Sequence, residues 1–165
     1  MSSVTVRRAR PDDTDAVVAL AGRSWRAAYG DILDEETIAA ALGEWYSPEG
    51  TREAIQSERV GYFVATDREI VGYVSGHAGE TTAQLGAIYV DPDRWGEGIG
   101  TQLLERFEQY SHDRGCERIE LEVLADNDLG ESFYRARGYT PVETQEVELF
   151  GETVRETLFQ RSIGR

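Results

Sequence analysis

Gly96, Gly98 and Gly100 occupy alternate positions of DPDRWGEGIG, directly after the apolar run IYV. Glycine takes backbone turns closed to other residues and leaves its N–H groups bare, so such a loop can let a phosphate approach the main chain closely. A Walker A loop is excluded: it needs a lysine after its last glycine, whereas Thr101 and Gln102 follow here and the chain contains no lysine. A dinucleotide fingerprint is also a poor match, because the spacing is G-x-G-x-G and the predicted sheet is not doubly wound. Two readings remain. The loop is either an anion nest whose amides at residues 96–101 face a pyrophosphate at the positive end of a helix, or only a tight connection.

The elements around this loop are readable from periodicity. VTVRR at residues 4–8 alternates as a short strand. A helix follows, capped by Asp12, Asp13 or Thr14, with Val17, Ala21, Trp25 and Ala28 on its apolar stripe and Gly30 at its end. Helices are expected over 34–48 and 50–57. The runs VGYFVATD, EIVGYVSGHA and AQLGAIYVD read as strands, the first two joined tightly at Asp67-Arg68.

After the glycine loop a helix presents Ile99, Leu103, Leu104, Phe107 and Tyr110 on one face and stops at Gly115. ERIELEVLA alternates Ile119, Leu121 and Val123 with Glu120 and Glu122. A short helix near Asn127 has Asp128 and Glu131 at capping-box spacing, with Leu129, Phe133 and Ala136 inward. The tail reads as two strands turning at Phe150-Gly151. This order predicts an α+β domain over 1–165: one mostly antiparallel sheet with a single central parallel pair, from the strand–helix–strand unit at 84–124, flanked by helices.

Composition narrows the partners. The 165 residues carry 31 acidic and 17 basic side chains, a formal net charge of −14, and every basic residue is arginine. Nucleic acid and anionic membrane surfaces would be repelled by that field. The single cysteine, Cys116, excludes an intrachain disulfide and a cysteine-rich metal site. No apolar run is long enough to span a bilayer, and Met1-Ser2-Ser3 opens no leader pattern, so a cytoplasmic location is the expectation. The acidity fits a halophilic source, where molar salt shortens the screening length to about 3 Å. The other reading is an acidic protein from a GC-rich genome.

The segment NDLGESFYRARGY, taken with IYVDPDRWGEGIGTQLL, resembles the GNAT superfamily of acyl-CoA N-acyltransferases. The family loop has the form Q/R-x-x-G-x-G/A, and its later helix N-x-x-A-x-x-F-Y-x-x-x-G-F/Y. Asn127, Phe133, Tyr134, Gly138 and Tyr139 fall in register, with Gly130 in place of the alanine. The resemblance is strongest over residues 60–140, and SWRAAYGDIL is similar to the acceptor-side helix of many bacterial and archaeal members. One departure concerns the Q/R position, which falls on Trp95 with Arg94 one residue earlier. Arg94 is then either a solvated loop charge or a phosphate contact.

The resemblance implies the GNAT fold and direct acetyl transfer from acetyl-CoA to a primary amine of a small molecule or peptide, without a metal. It places the pyrophosphate on Trp95, Gly96, Glu97, Gly98, Ile99, Gly100 and Thr101, and pantetheine along Ile88, Tyr89 and Val90, where that strand splays from LEVLA. The Val90 N–H would polarise the thioester carbonyl. Tyr134 holds the family position of the acid that protonates the leaving thiolate, its other reading being core packing beside Phe133. Glu122 is the first candidate for the base, against a merely solvated strand face, with His77 or a water chain as a substitute. Asn127 is a cofactor contact or a plain helix cap; Trp25 and Tyr29 line the acceptor side or belong to the core. A homodimer fits the family. A catalytically silent acyl-CoA-binding module on the same fold is the alternative to an enzyme.

Overall fold

The computed structural model describes residues 4–164; Met1-Ser2-Ser3, read above for a leader, and Arg165 lie outside them. The strands are β1 (Thr5–Arg8), β2 (Val60–Asp67), β3 (Glu69–Ala78), β4 (Thr82–Val90), β5 (Arg118–Leu124), β6 (Thr140–Leu149) and β7 (Glu152–Ser162). The helices are α1 (Thr14–Tyr29), α2 (Glu35–Trp45), α3 (Pro48–Gln56), α4 (Ile99–Asp113) and α5 (Asp128–Ala136). Single turns of 3-10 helix at Pro11–Asp13 and Pro92–Arg94 lead into α1 and the glycine loop.

The strands form one sheet in the order β1-β2-β3-β4-β5-β7-β6. Neighbours are antiparallel except β4 and β5, whose parallel contact covers only Thr82–Gln84 against Arg118–Glu120. It ends where β4 carries an extra residue: Leu85 opposes Gly76 and Ala87 opposes Ser75, leaving Gly86 unmatched. Such a bulge bends its strand and interrupts the ladder. Beyond it β4 stays on β3 while β5 follows β7 as far as Leu124, and a gap opens between them. The bulge also reverses side-chain parity. Ala83 and Leu85 share a core with Ile88 and Val90, whereas Ala87 and Tyr89 pack on the opposite face.

α4 covers one face of the sheet and α1, α2 and α3 the other. The α4 stripe predicted from periodicity is buried at Ile99, Leu103, Leu104, Phe107 and Tyr110, and each of its Ile, Leu and Phe side chains contributes about 1.5–3 kcal/mol. Gly115 beyond the helix takes φ 88°, as a helix-terminating glycine does.

Four local expectations are corrected. Asp13 precedes α1 without capping it: its carboxylate accepts from the Arg7 guanidinium at 2.8 and 3.0 Å and from the Arg10 N–H at 2.7 Å. α5 is capped by Asn127, whose side chain accepts from the Gly130 N–H at 3.0 Å, so the Asp128–Glu131 box is not the cap. Leu129 and Ala136 are exposed rather than inward, because α5 borders the gap instead of lying flat on the sheet. α3 begins earlier than expected, at Pro48, where the Ser47 hydroxyl accepts from the Gly50 N–H at 3.1 Å.

Candidate active site

The gap between β4 and β5 opens into a cavity of about 660 Å³. At the α4 end it is bounded by the glycine loop and α5, and at the α1 end by Ala28, Tyr29, Tyr89 and Glu122. It therefore passes between the two faces of the sheet, which an unbroken ladder would forbid.

The loop has the conformation of an anion cradle. Gly96 and Gly98 take φ 88° and 83°, angles that L side chains resist. Gly98 accepts the first intrahelical bond of α4, from the Gln102 N–H at 3.2 Å. The N–H groups of Ile99, Gly100 and Thr101 precede that bond and have no acceptor within the helix, at its positive end. Gly100 is favoured for a different reason: a Cβ there would lie 3.1 Å from the Phe133 ring, which would have to give by a few tenths of an ångström.

Arg94 and Trp95 anchor the loop. The Trp95 indole N–H donates to the Val90 carbonyl at 2.9 Å, so the residue in place of the family's Q/R contacts its own strand. Arg94 donates from Nη2 to Asp67 at 3.0 Å and from Nε to Glu97 at 2.9 Å. Glu97 does not line the cavity, unlike the other predicted loop residues from Trp95 to Thr101. Sequence reasoning missed Arg137, which borders the cavity beside Thr101 and lies over the Phe133 ring at 3.9 Å. A basic residue just before the matching Gly138-Tyr139 was the available signal.

Main-chain parity decides what β4 offers the gap. Asp91 donates to the Val71 carbonyl at 2.8 Å, and Tyr73 and Tyr89 are register partners two residues on. Tyr73–Tyr89 is therefore a bonded pair, whereas Ile88 and Val90 turn their N–H groups away from β3. Tyr89 reaches the cavity as a ring, its main chain being engaged with β3.

Tyr134 lies on the cavity wall, and its hydroxyl has no hydrogen-bond partner among the described residues. Burial, then proximity to Tyr29, raises its pKa, so the phenol stays protonated at neutral pH. The two acids of β5 differ. Glu120 accepts from Gln84 at 2.9 Å and lies near Arg118, while Glu122 is exposed on the cavity wall and free of ion pairs among the described residues.

On the same sheet face, one strand over, stands Glu156, which sequence reasoning missed because β5–β7 pairing brings it there. Desolvation, then the Glu122 charge, raises its pKa. Asn127 lines the cavity and is also the cap of α5. Tyr29 meets the cavity and bonds the Tyr89 hydroxyl at 2.9 Å; Trp25 sits behind it in the core, 7% exposed. His77 is exposed opposite Gln84 and does not line the cavity.

Comparison with known proteins agrees with this architecture. Residues 17–139 match the family model described as Acetyltransferase (GNAT) family. The chain is 27% identical over 149 residues to a spermidine N(1)-acetyltransferase of Thermoplasma acidophilum, covering 86% of this chain and 91% of that protein. Its fold matches the PaiA N-acetyltransferase of Thermoplasma acidophilum, solved in complex with coenzyme A, with TM-score 0.87, 24% identity and coverage of 97% and 99%. A GCN5-related N-acetyltransferase from Rhodopseudomonas palustris matches with TM-score 0.83, 24% identity and coverage of 98% and 97%. A split sheet, a glycine loop opening α4 and a match through both are one consistent set, and the chain belongs to the GNAT family of acetyltransferases.

Proposed function

We propose that this chain, acting as one catalytic unit over residues 1–165, transfers the acetyl group of acetyl-CoA directly to a primary amine. The observation that carries the reading is the juxtaposition on one cavity of uncommitted α4 amides, a strand edge with free N–H groups and an unpartnered phenol. Acetyl-CoA supplies an activated thioester when bound. The α4 N-terminus and Arg137 hold its phosphates, and the gap-facing groups of Ile88 and Val90 pair with its amide-bearing arm.

The Val90 N–H donates to the acyl oxygen, and Tyr134 donates its proton to the departing sulfur. Glu122 accepts the proton that an ammonium must lose before it can attack. A cationic amine of the polyamine type fits the acceptor end, where Glu122 and Glu156 stand beside the rings of Tyr29 and Tyr89. The relative named as a spermidine N(1)-acetyltransferase supports that class.

The test is thiol release from acetyl-CoA over a panel of spermidine, other small amines and peptides. Turnover with polyamines is expected. CoA binding without turnover on any amine would replace this reading with a silent acyl-CoA-binding module.

A further inference from the structure

The glycine loop contains an electrostatic contradiction. Glu97 stands between Gly96 and Gly98, where a phosphate is to be held, on a molecule whose formal charge is already −14. A carboxylate free to swing into that cradle would repel the anion. It is not free: Arg94 Nε donates to both Glu97 oxygens, at 2.9 and 3.0 Å. The same guanidinium donates from Nη2 to Asp67 at 3.0 Å, at the end of β2 beside the turn residue Arg68 with φ 72°. Glu97 is correspondingly absent from the cavity wall that its neighbours line.

We propose that Arg94 is a positioning residue: it neutralises Glu97, holds that carboxylate outside the cradle, and fixes the loop to the β2–β3 hairpin. Its charge is committed to two carboxylates and does not serve as a phosphate ligand. The inference rests on the coenzyme A reading above and adds a role that the family pattern does not place at this position.

The two roles predict opposite behaviour in a double variant. Coenzyme A is titrated into the wild-type chain, Arg94→Met, Glu97→Gln and the double variant, with melting curves for each and acetyl-CoA kinetics where turnover is measured. Arg94→Met is expected to weaken coenzyme A about tenfold, through KM rather than kcat. Glu97→Gln should stay within about twofold of wild type, because the carboxylate it removes is already paired and held outside the cradle. The double variant should return to within about twofold of wild type.

A double variant as weak as Arg94→Met would make Arg94 a direct ligand and overturn the proposal, as would Arg94→Met binding like wild type. If Arg94→Met does not fold, Glu97→Gln decides alone: binding within about twofold of wild type supports the proposal, and markedly tighter binding, the mark of a freed Arg94 acting as a ligand, or markedly weaker binding overturns it. A wild-type chain that does not bind coenzyme A overturns the functional reading as well, whereas a flat variant series on a binding wild type overturns this inference only.

Discussion

Arg137 Nε donates to the Thr101 hydroxyl at 2.9 Å, tying the end of α5 to the first turn of α4. Nη1 donates to the Phe133 carbonyl at 2.8 Å, and the guanidinium lies 3.9 Å over the Phe133 ring. No carboxylate pairs with it among the described residues, in contrast to Arg94. It is a rigid, uncompensated cation beside the uncommitted α4 amides, which suits it to phosphate.

Arg137→Met is therefore expected to weaken coenzyme A about tenfold and to flatten the dependence of affinity on salt. Calorimetric titration at two KCl concentrations measures both. Equal affinity at low salt would remove Arg137 from the binding site.

Tyr134→Phe removes a donor and little volume. Loss of a general acid slows the chemical step by about 10²-fold or more, with coenzyme A affinity unchanged. A variant with wild-type kcat would return Tyr134 to the role of a packing residue beside Phe133, whose ring lies 5.1 Å away.

Glu122 and Glu156 are coupled through charge. Glu122→Gln takes a negative charge away from Glu156, whose carboxyl is raised by desolvation and then by Glu122. Its pKa must then fall toward the ordinary carboxylate value while burial keeps it somewhat above. Carbon-13 titration of the Glu156 side chain reads this directly. In the same variant kcat/KM for the amine is expected to drop about tenfold or more, as loss of a base requires.

Acid stability has a local source. The Asp13 carboxyl is held below its usual pKa by its hydrogen bonds from Arg7. A lowered acid pKa stabilises the folded state above the unfolded value, near pH 4, and that contribution disappears as the pH falls through the folded value. Asp13→Asn should cost about 1 kcal/mol at pH 7 and nearly nothing near pH 2. Urea melts at the two pH values compare them.

Global charge makes a separate prediction. With 31 acidic side chains against 17 basic, self-repulsion should make the melting temperature rise as KCl approaches molar concentration. A flat or falling melting temperature would leave the acidity without a halophilic explanation.

Local patterns in the chain were enough to read the α4 stripe, the glycine loop, the Asp67-Arg68 and Phe150-Gly151 turns and the order of strands and helices. These depend on neighbours a few residues apart, through periodicity and backbone freedom. The family motif likewise pointed to Tyr134 and Asn127, and the resemblance to members with a carboxylate on this strand pointed to Glu122. Only the folded chain decided what each could touch.

Pairing of β5 with β7 brought Glu156 beside Glu122, an encounter between residues far apart in sequence. The bulge at Gly86, visible only as a register shift against β3, parted the sheet and turned Tyr89's main chain from the gap. Arg94 could have met a phosphate or a carboxylate; the approach of the β2–β3 hairpin gave it Asp67 in addition to Glu97. Side-chain chemistry is written locally, but its partners are set by which strands become neighbours, and that is a property of the whole sheet.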